Sequence, residues 1–309
     1  MSHAWRAVLC LAVALALAPP AAADDPIAYV TEIHRGAGKG EVLVRRASES
    51  AWKAPQPLLA LRAGDQITVS ADARVVVLYH GAGTVAVSVQ TSPYTVQAST
   101  TPAAGRSQMT AALTEFFLGK QAPPAFKGAV TRGATTTTIV SPRHTRLFPG
   151  APVFEWDGGP GRSYTVRVIG DPGVLWEKAN VIASPLAYPP TAPALRPGVR
   201  YAWELESLGQ PPQRTEFEVM TDADAVRIGD ALSALDRTVQ ATSAPGTVTV
   251  MRTAIFFDEG LFADARRELE AAERKNPDDP TLPFLLSHVY EHIGLTARAR
   301  QALQRAQGR

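Results

Sequence analysis

Between residues 256 and 306 the chain repeats itself. Gly260, Ala265, Leu269 and Ala272 recur as Gly294, Ala299, Leu303 and Ala306, Phe256 is answered by Tyr290, and every pair is separated by the same 34 residues. A period of about 34 belongs to stacked helix-turn-helix units, each burying its apolar face on the next. The chemistry of each position agrees. Gly260 and Gly294 fall where one helix stops and the chain reverses, a place for a residue that tolerates positive φ. The alanines of each unit lie seven residues apart, so a small-residue stripe lets two helix backbones approach, and Leu269 and Leu303 extend it with bulk. Two units fall short of the three or so that a free-standing array needs. The stretch from Asp222 to Val239 can cover the open end: Ala225, Ile228, Leu232, Leu235 and Val239 follow a helical stripe, and Thr221 with Asp224 predicts an N-terminal cap.

These positions resemble tetratricopeptide repeats, with glycine at the turn, alanine where helices touch and proline closing the unit GLFADARRELEAAERKNPDDP. The first unit departs from the family in its β-branched opening helix, TVTVMRTAIFF, and Pro283 interrupts the opening of the second. The resemblance implies a binding region with a concave groove. On that register Phe257, Asp258, Phe284, His288, Glu291 and His292 are the partner-binding candidates, with plain solvent exposure as the competing reading. The basic and asparagine positions that grip a terminal carboxylate in some relatives are absent, which leaves the ligand class open.

The N-terminus is expected to be an export signal. Arg6 supplies the positive charge, Ala7 to Ala18 is an apolar run, Pro19 and Pro20 break it, and Ala21 to Ala23 offer small residues for cleavage near Ala23. The run is too short for a stable membrane anchor, and no later stretch reaches about 18 consecutive apolar residues. The expected product is periplasmic and not membrane-integral. Cys10, the one cysteine, lies inside this segment, so the mature chain is expected to rely on ordinary cores rather than disulfides.

The full chain of 309 residues, 45% hydrophobic, can build two or three cores. Its 31 basic and 29 acidic residues nearly balance, which argues against a generic attraction to nucleic acid. Its 25 prolines and 23 glycines separate short apolar runs, as in β modules joined by turns. Five segments follow: residues 1–23 as signal, 24–98 as a β module, 99–138 as a linker with one short helix in MTAALTEFFLGK, 139–221 as a second β module, and 222–309 as the helical region.

In the first module Val42 and Val44 alternate with Leu43 and Arg45, Arg74 to Tyr79 reads as a buried strand, and Val85, Val87 and Val89 keep a two-residue period. The order GEVLVRR, a variable loop, then LRAGDQITVSADARVVVLYHGAGTVAVSV resembles the FecR-type β domain. That family's best-known members relay envelope signals across the inner membrane; without the membrane helix such signalling requires, the resemblance implies a binding or scaffold role here. In the second module Phe154 and Trp156, then Tyr164, Val166 and Val168, then Tyr201, Trp203 and Leu205, then Phe217 and Val219 mark inward faces of successive strands. Leu195 to Tyr201 has the spacing of a tyrosine corner, and the set resembles a fibronectin type III or immunoglobulin-like sandwich. The aromatic residues read as core, with stacking on a sugar as the alternative.

Candidate chemistry is sparse. His288, Glu291 and His292 match the inverted H-x-x-E-H zinc pattern, yet they lie in a helix the repeat already accounts for. Gly36 to Gly40 is glycine-rich, but a strand rather than a helix follows, so a turn is expected instead of a phosphate loop. Arg143, His144 and Arg146 read as a solvated basic loop. The reading is therefore a multidomain β plus α protein, a non-enzymatic periplasmic scaffold without cofactor. Its expected partners are envelope proteins or peptides, with cell-wall or capsular polysaccharide as a further class. Envelope signalling through the first module and zinc-dependent hydrolysis are the alternatives.

Overall fold

The computed structural model describes residues 26–37, 40–80, 83–97, 115–117, 119–120, 137–159, 161–239 and 244–308. The export segment, its cleavage site, Cys10 and most of the 99–138 linker lie outside them. The architecture is mixed, antiparallel β sheets followed by helices.

The first seven strands are β1 (Ala28–His34), β2 (Val42–Arg45), β3 (Ala60–Leu61), β4 (Gln66–Val69), β5 (Arg74–Tyr79), β6 (Gly83–Ser88) and β7 (Tyr94–Thr95). They form two sheets, ordered β3-β1-β5-β6 and β2-β4-β7. Val42 and Val44 of β2 and Ile67 and Val69 of β4 meet Val30, Ile33, Val75, Val77 and Val87 in one core. Strand β5 is buried on both faces because Leu78, with Tyr29 of β1, turns to the helices on the far side. Val89 departs from the expected period. It is 54% exposed, because β6 ends at Ser88 and the chain turns there. Gly36 lies in a turn as expected, with φ +63° and the Ala37 N–H donating to Asp72 Oδ2 at 2.7 Å.

The second set comprises β8 (Thr138–Ser141), β9 (Thr145–Leu147), β10 (Val153–Asp157), β11 (Tyr164–Ile169), β12 (Val174–Val181), β13 (Leu186–Ala187), β14 (Val199–Ser207) and β15 (Gln213–Val219). Sheets β13-β10-β8 and β12-β11-β14-β15-β9 share a core, and β9 runs parallel to β15. Phe154 and Trp156 of one sheet meet Val166, Val168, Trp203 and Phe217 of the other. The aromatic set is thus core, and these rings have no face free to stack on a sugar. Tyr201 ties the loop before β14: its hydroxyl accepts from the Arg196 N–H at 2.8 Å.

Five helices follow: α1 (Asp222–Val239), α2 (Pro245–Asp258), α3 (Phe262–Lys275), α4 (Thr281–His292) and α5 (Thr296–Ala306). Helices α2 and α3 make one hairpin, α4 and α5 the next. Their turns repeat in detail, with Gly260 at φ +71° and Gly294 at +78°, and with Leu261 N–H on Phe256 O and Leu295 N–H on Tyr290 O, both at 2.7 Å. Such bonds satisfy carbonyls that a helix end leaves open. Ala265, Leu269 and Ala299 are buried where the helices touch. Helix α1 covers the open side of α2 with Ile228 and Leu235, and Thr221 Oγ1 accepts from the Asp224 N–H at 3.1 Å. Every residue of α4 from Thr281 to Tyr290 is buried, since α3, α5 and β1 all pack around it. No helix among the described residues is long and apolar enough to cross a membrane.

Candidate interaction site on the helical repeat

The repeat is gripped at both ends by the β modules, and the grip follows its period. At the C-terminal ends of α2 and α4, arginines from the sandwich meet equivalent carbonyls. Arg146 Nη1 donates to Glu259 O at 3.3 Å, and Arg143 Nε donates to Ile293 O at 2.6 Å. Glu259 and Ile293 are one repeat apart, so two arginines three residues apart meet the two turns. A cation is favourable there because it faces the negative end of each helix dipole. Arg146 further pairs with Asp224 at 2.7 Å and Glu218 at 3.4 Å, and its own N–H donates to Gly260 O at 2.8 Å. The expectation of a solvated basic loop at Arg143, His144 and Arg146 therefore fails for the two arginines, while His144 is exposed. The arginines of the loop are seated on the helices, and burial lowers the Arg143 pKa without discharging its guanidinium.

At the N-terminal ends of the same helices stand two buried carboxylates. Glu32 of β1 accepts from the Thr247 N–H at 2.5 Å and from its hydroxyl at 2.9 Å. Asp279 accepts through Oδ1 from the Thr281 N–H at 2.9 Å and from the Ile33 N–H at 3.3 Å. Thr247 and Thr281 are again one repeat apart. The β1 ladder shifts register between Val30 and Glu32, skipping Thr31, and this bulge re-aims the strand. Thr31 and Glu32 thereby both meet Thr247, Thr31 through a 2.9 Å hydroxyl pair. Gly246 is bare for the same contact, since a Cβ there would lie 2.8 Å from Glu32 Cδ. Burial pushes the Glu32 carboxyl up, but the bonds from His34 and Thr247 outweigh it and hold it below its ordinary value.

The predicted groove residues divide by depth. Phe284 and His288 are only 4% and 7% exposed, so they are core and not a docking face. They join one apolar cluster with Tyr29, Leu58 and Leu78 of the first module and Phe117 of the linker. The chain's own residues thus cover these two positions. Among the described residues His288 Nε2 has no hydrogen-bond partner, and burial, with Lys120 nearby, pushes its pKa down to about 3. Nearer the surface the pattern differs. Phe257 is half-buried beneath Lys120, whose Nζ stands 4.6 Å from the ring centroid, and Phe116 packs beside it at 5.4 Å. The exposed His292 ring lies 4.0 Å from Phe262. Asp258 is exposed and Glu291 half-exposed. Lys120 is held below its ordinary pKa by burial, which the Glu291 charge partly opposes.

The H-x-x-E-H string is not gathered into a ligand set, since His288 points into core while His292 lies at the surface against Phe262. Among the described residues one group does bring its donors together: Glu32, His34 and Asp279, with one ligand atom from each lying within 4.8 Å of the others.

The chain matches no family model, and no curated protein is detectably similar to it.

Sequence reasoning missed Glu32, Asp279, Arg143 and Arg146 as working residues. One signal was available, a carboxylate in the otherwise apolar strand AYVTEIH, which needs a partner if the strand is buried. The recurrence of Thr247 as Thr281 was visible too, but nothing local names the groups that meet them.

Proposed function

We propose that this chain is an exported, non-enzymatic adaptor of the bacterial envelope. In this reading a FecR-like module and an immunoglobulin-like sandwich hold a tetratricopeptide-type hairpin pair, which presents a partner-binding rim. The observation that carries it is the clustering of Phe257, Asp258, Glu291 and His292 at the surface end of α2 and α4 while the deeper positions are closed off. Phe257 and Asp258 stand one repeat from Glu291 and His292, so equivalent positions of both units contribute. A half-exposed ring flanked by an ammonium, a carboxylate and an imidazole suits a peptide with mixed charge and an apolar side chain. The seating of the hairpins on both β modules supports the reading, because a rim held at both ends loses little freedom when a partner binds.

Site-specific photo-crosslinking in intact cells tests it. A crosslinker at position 258 or 292 is expected to give a discrete adduct with an envelope component, and one at Leu208, fully exposed on the sandwich, is expected to give none. The same adducts from position 208, or none from the rim, would refute the assignment.

A further inference from the structure

Glu32, His34 and Asp279 meet where β1 of the first module abuts the helical hairpins. Glu32 and Asp279 are each only 1% exposed, and His34 is partly exposed. Each carboxylate commits one oxygen to threonine or backbone donors. Glu32 uses Oε1 for Thr247, and Asp279 uses Oδ1 for Thr281 and Ile33. Outer hydrogen bonds of this kind orient ligating carboxylates and tune them. Among the described residues the second oxygen of each accepts from no backbone N–H, and Glu32 Oε2 lies 2.9 Å from His34 Nε2. Arg74 Nη2, 46% exposed, is 3.9 Å from Glu32 Oε2 and can swing to solvent without breaking a short hydrogen bond to it.

We propose that Glu32, His34 and Asp279 form a divalent transition-metal site that clasps the first β module to the helical repeat. The donor set is two carboxylate oxygens and one imidazole nitrogen. It suits Zn²⁺ or Mn²⁺ better than Ca²⁺, which takes oxygen ligands, and it leaves a coordination position for water. A ligand set spread over two modules makes ion binding a link between them, since neither module completes it alone. Arg35, next to His34, and Asp278 and Pro280, which flank Asp279, line a surface cleft of about 290 Å³ beside the site. The buried carboxylate pair gains most, because a divalent ion offsets both charges at once where water is excluded. The site is distinct from the H-x-x-E-H string and independent of the rim proposed above.

The test is calorimetric titration of ZnCl₂ into metal-stripped, untagged protein at neutral pH, repeated with CaCl₂. Saturable binding of one Zn²⁺ per chain is expected, with no comparable Ca²⁺ binding. Asp279→Asn keeps the acceptor for Thr281 and Ile33, and His34→Gln changes a partly exposed side chain. Each should weaken Zn²⁺ binding by at least about tenfold. His292→Ala should leave it unchanged. Cobalt substitution gives a second readout: the visible absorption of the Co²⁺ form should be lost in His34→Gln. Absence of saturable Zn²⁺ binding would overturn the proposal. So would binding that survives both variants or disappears in His292→Ala.

Discussion

His288 gives the sharpest quantitative test, because it is an ionisable group enclosed in the fused core. Burial pushes its pKa from the ordinary 6.5 down to about 3, so the folded chain holds it neutral at any pH above that value. In the unfolded chain it titrates near 6.5. Between the two values the unfolded state binds one proton more, stability rises with pH, and acidification destabilises by about 1.4 kcal/mol per pH unit. The contribution is fully present above about pH 6.5 and lost as pH falls below it. From pH 7 to pH 5 the loss works out at about 2 kcal/mol. His288→Met removes the titration and keeps roughly the volume, and it also removes a buried Nε2 without a partner. The variant should therefore be at least as stable as the wild type at pH 7 and lose about 2 kcal/mol less on moving to pH 5. Urea unfolding followed by circular dichroism at both pH values measures this. Taking the difference between the two proteins cancels the groups they share, among them Asp279, which burial pushes up to about 6 and which acts in the opposite sense. An equal loss in both proteins would show that His288 is hydrated and that the helical core is not closed as described.

Three further outcomes follow from the geometry. Tyr201→Phe removes the hydroxyl that accepts from the Arg196 N–H at 2.8 Å and should cost the sandwich about 1 kcal/mol, read as a lower melting temperature. Arg266, 3% exposed, bridges Glu155 of the sandwich at 2.6 Å and Glu270 at 3.1 Å. Arg266→Met should cost about 2–3 kcal/mol in urea unfolding, below the full penalty for a broken buried pair because both carboxylates keep some water, while Glu155→Gln should cost about 1 kcal/mol or less; equal costs would refute the bridge. Gly294→Ala places a Cβ on a residue at φ +78°, 3.4 Å from Arg143 Nη2, and should cost about 1–2 kcal/mol, with an unchanged melting temperature as the contrary result.

Periodicity made much of this chain legible without coordinates. The 34-residue recurrence located both helical turns, because a reversal at positive φ selects glycine and close helix contact selects alanine wherever they occur. Two-residue alternation located β2 and the inward rings of the sandwich for a similarly local reason, and the Leu195 to Tyr201 spacing pointed to the bond that Tyr201 accepts. Burial of the predicted groove was another matter. Phe284 and His288 were expected to line an open groove, yet they are buried with Tyr29, Leu58, Leu78 and Phe117, all more than 160 residues away in sequence. Separations of more than 100 residues likewise hid the pairing of Glu32 with Thr247, of Asp279 with Ile33, and of Arg143 and Arg146 with the helix ends. A repeating pattern reports which face of an element is apolar. Which other element covers that face, and which charge meets a helix terminus, is set by packing between distant parts of the chain, so only the tertiary structure decided that the β modules close over the repeat.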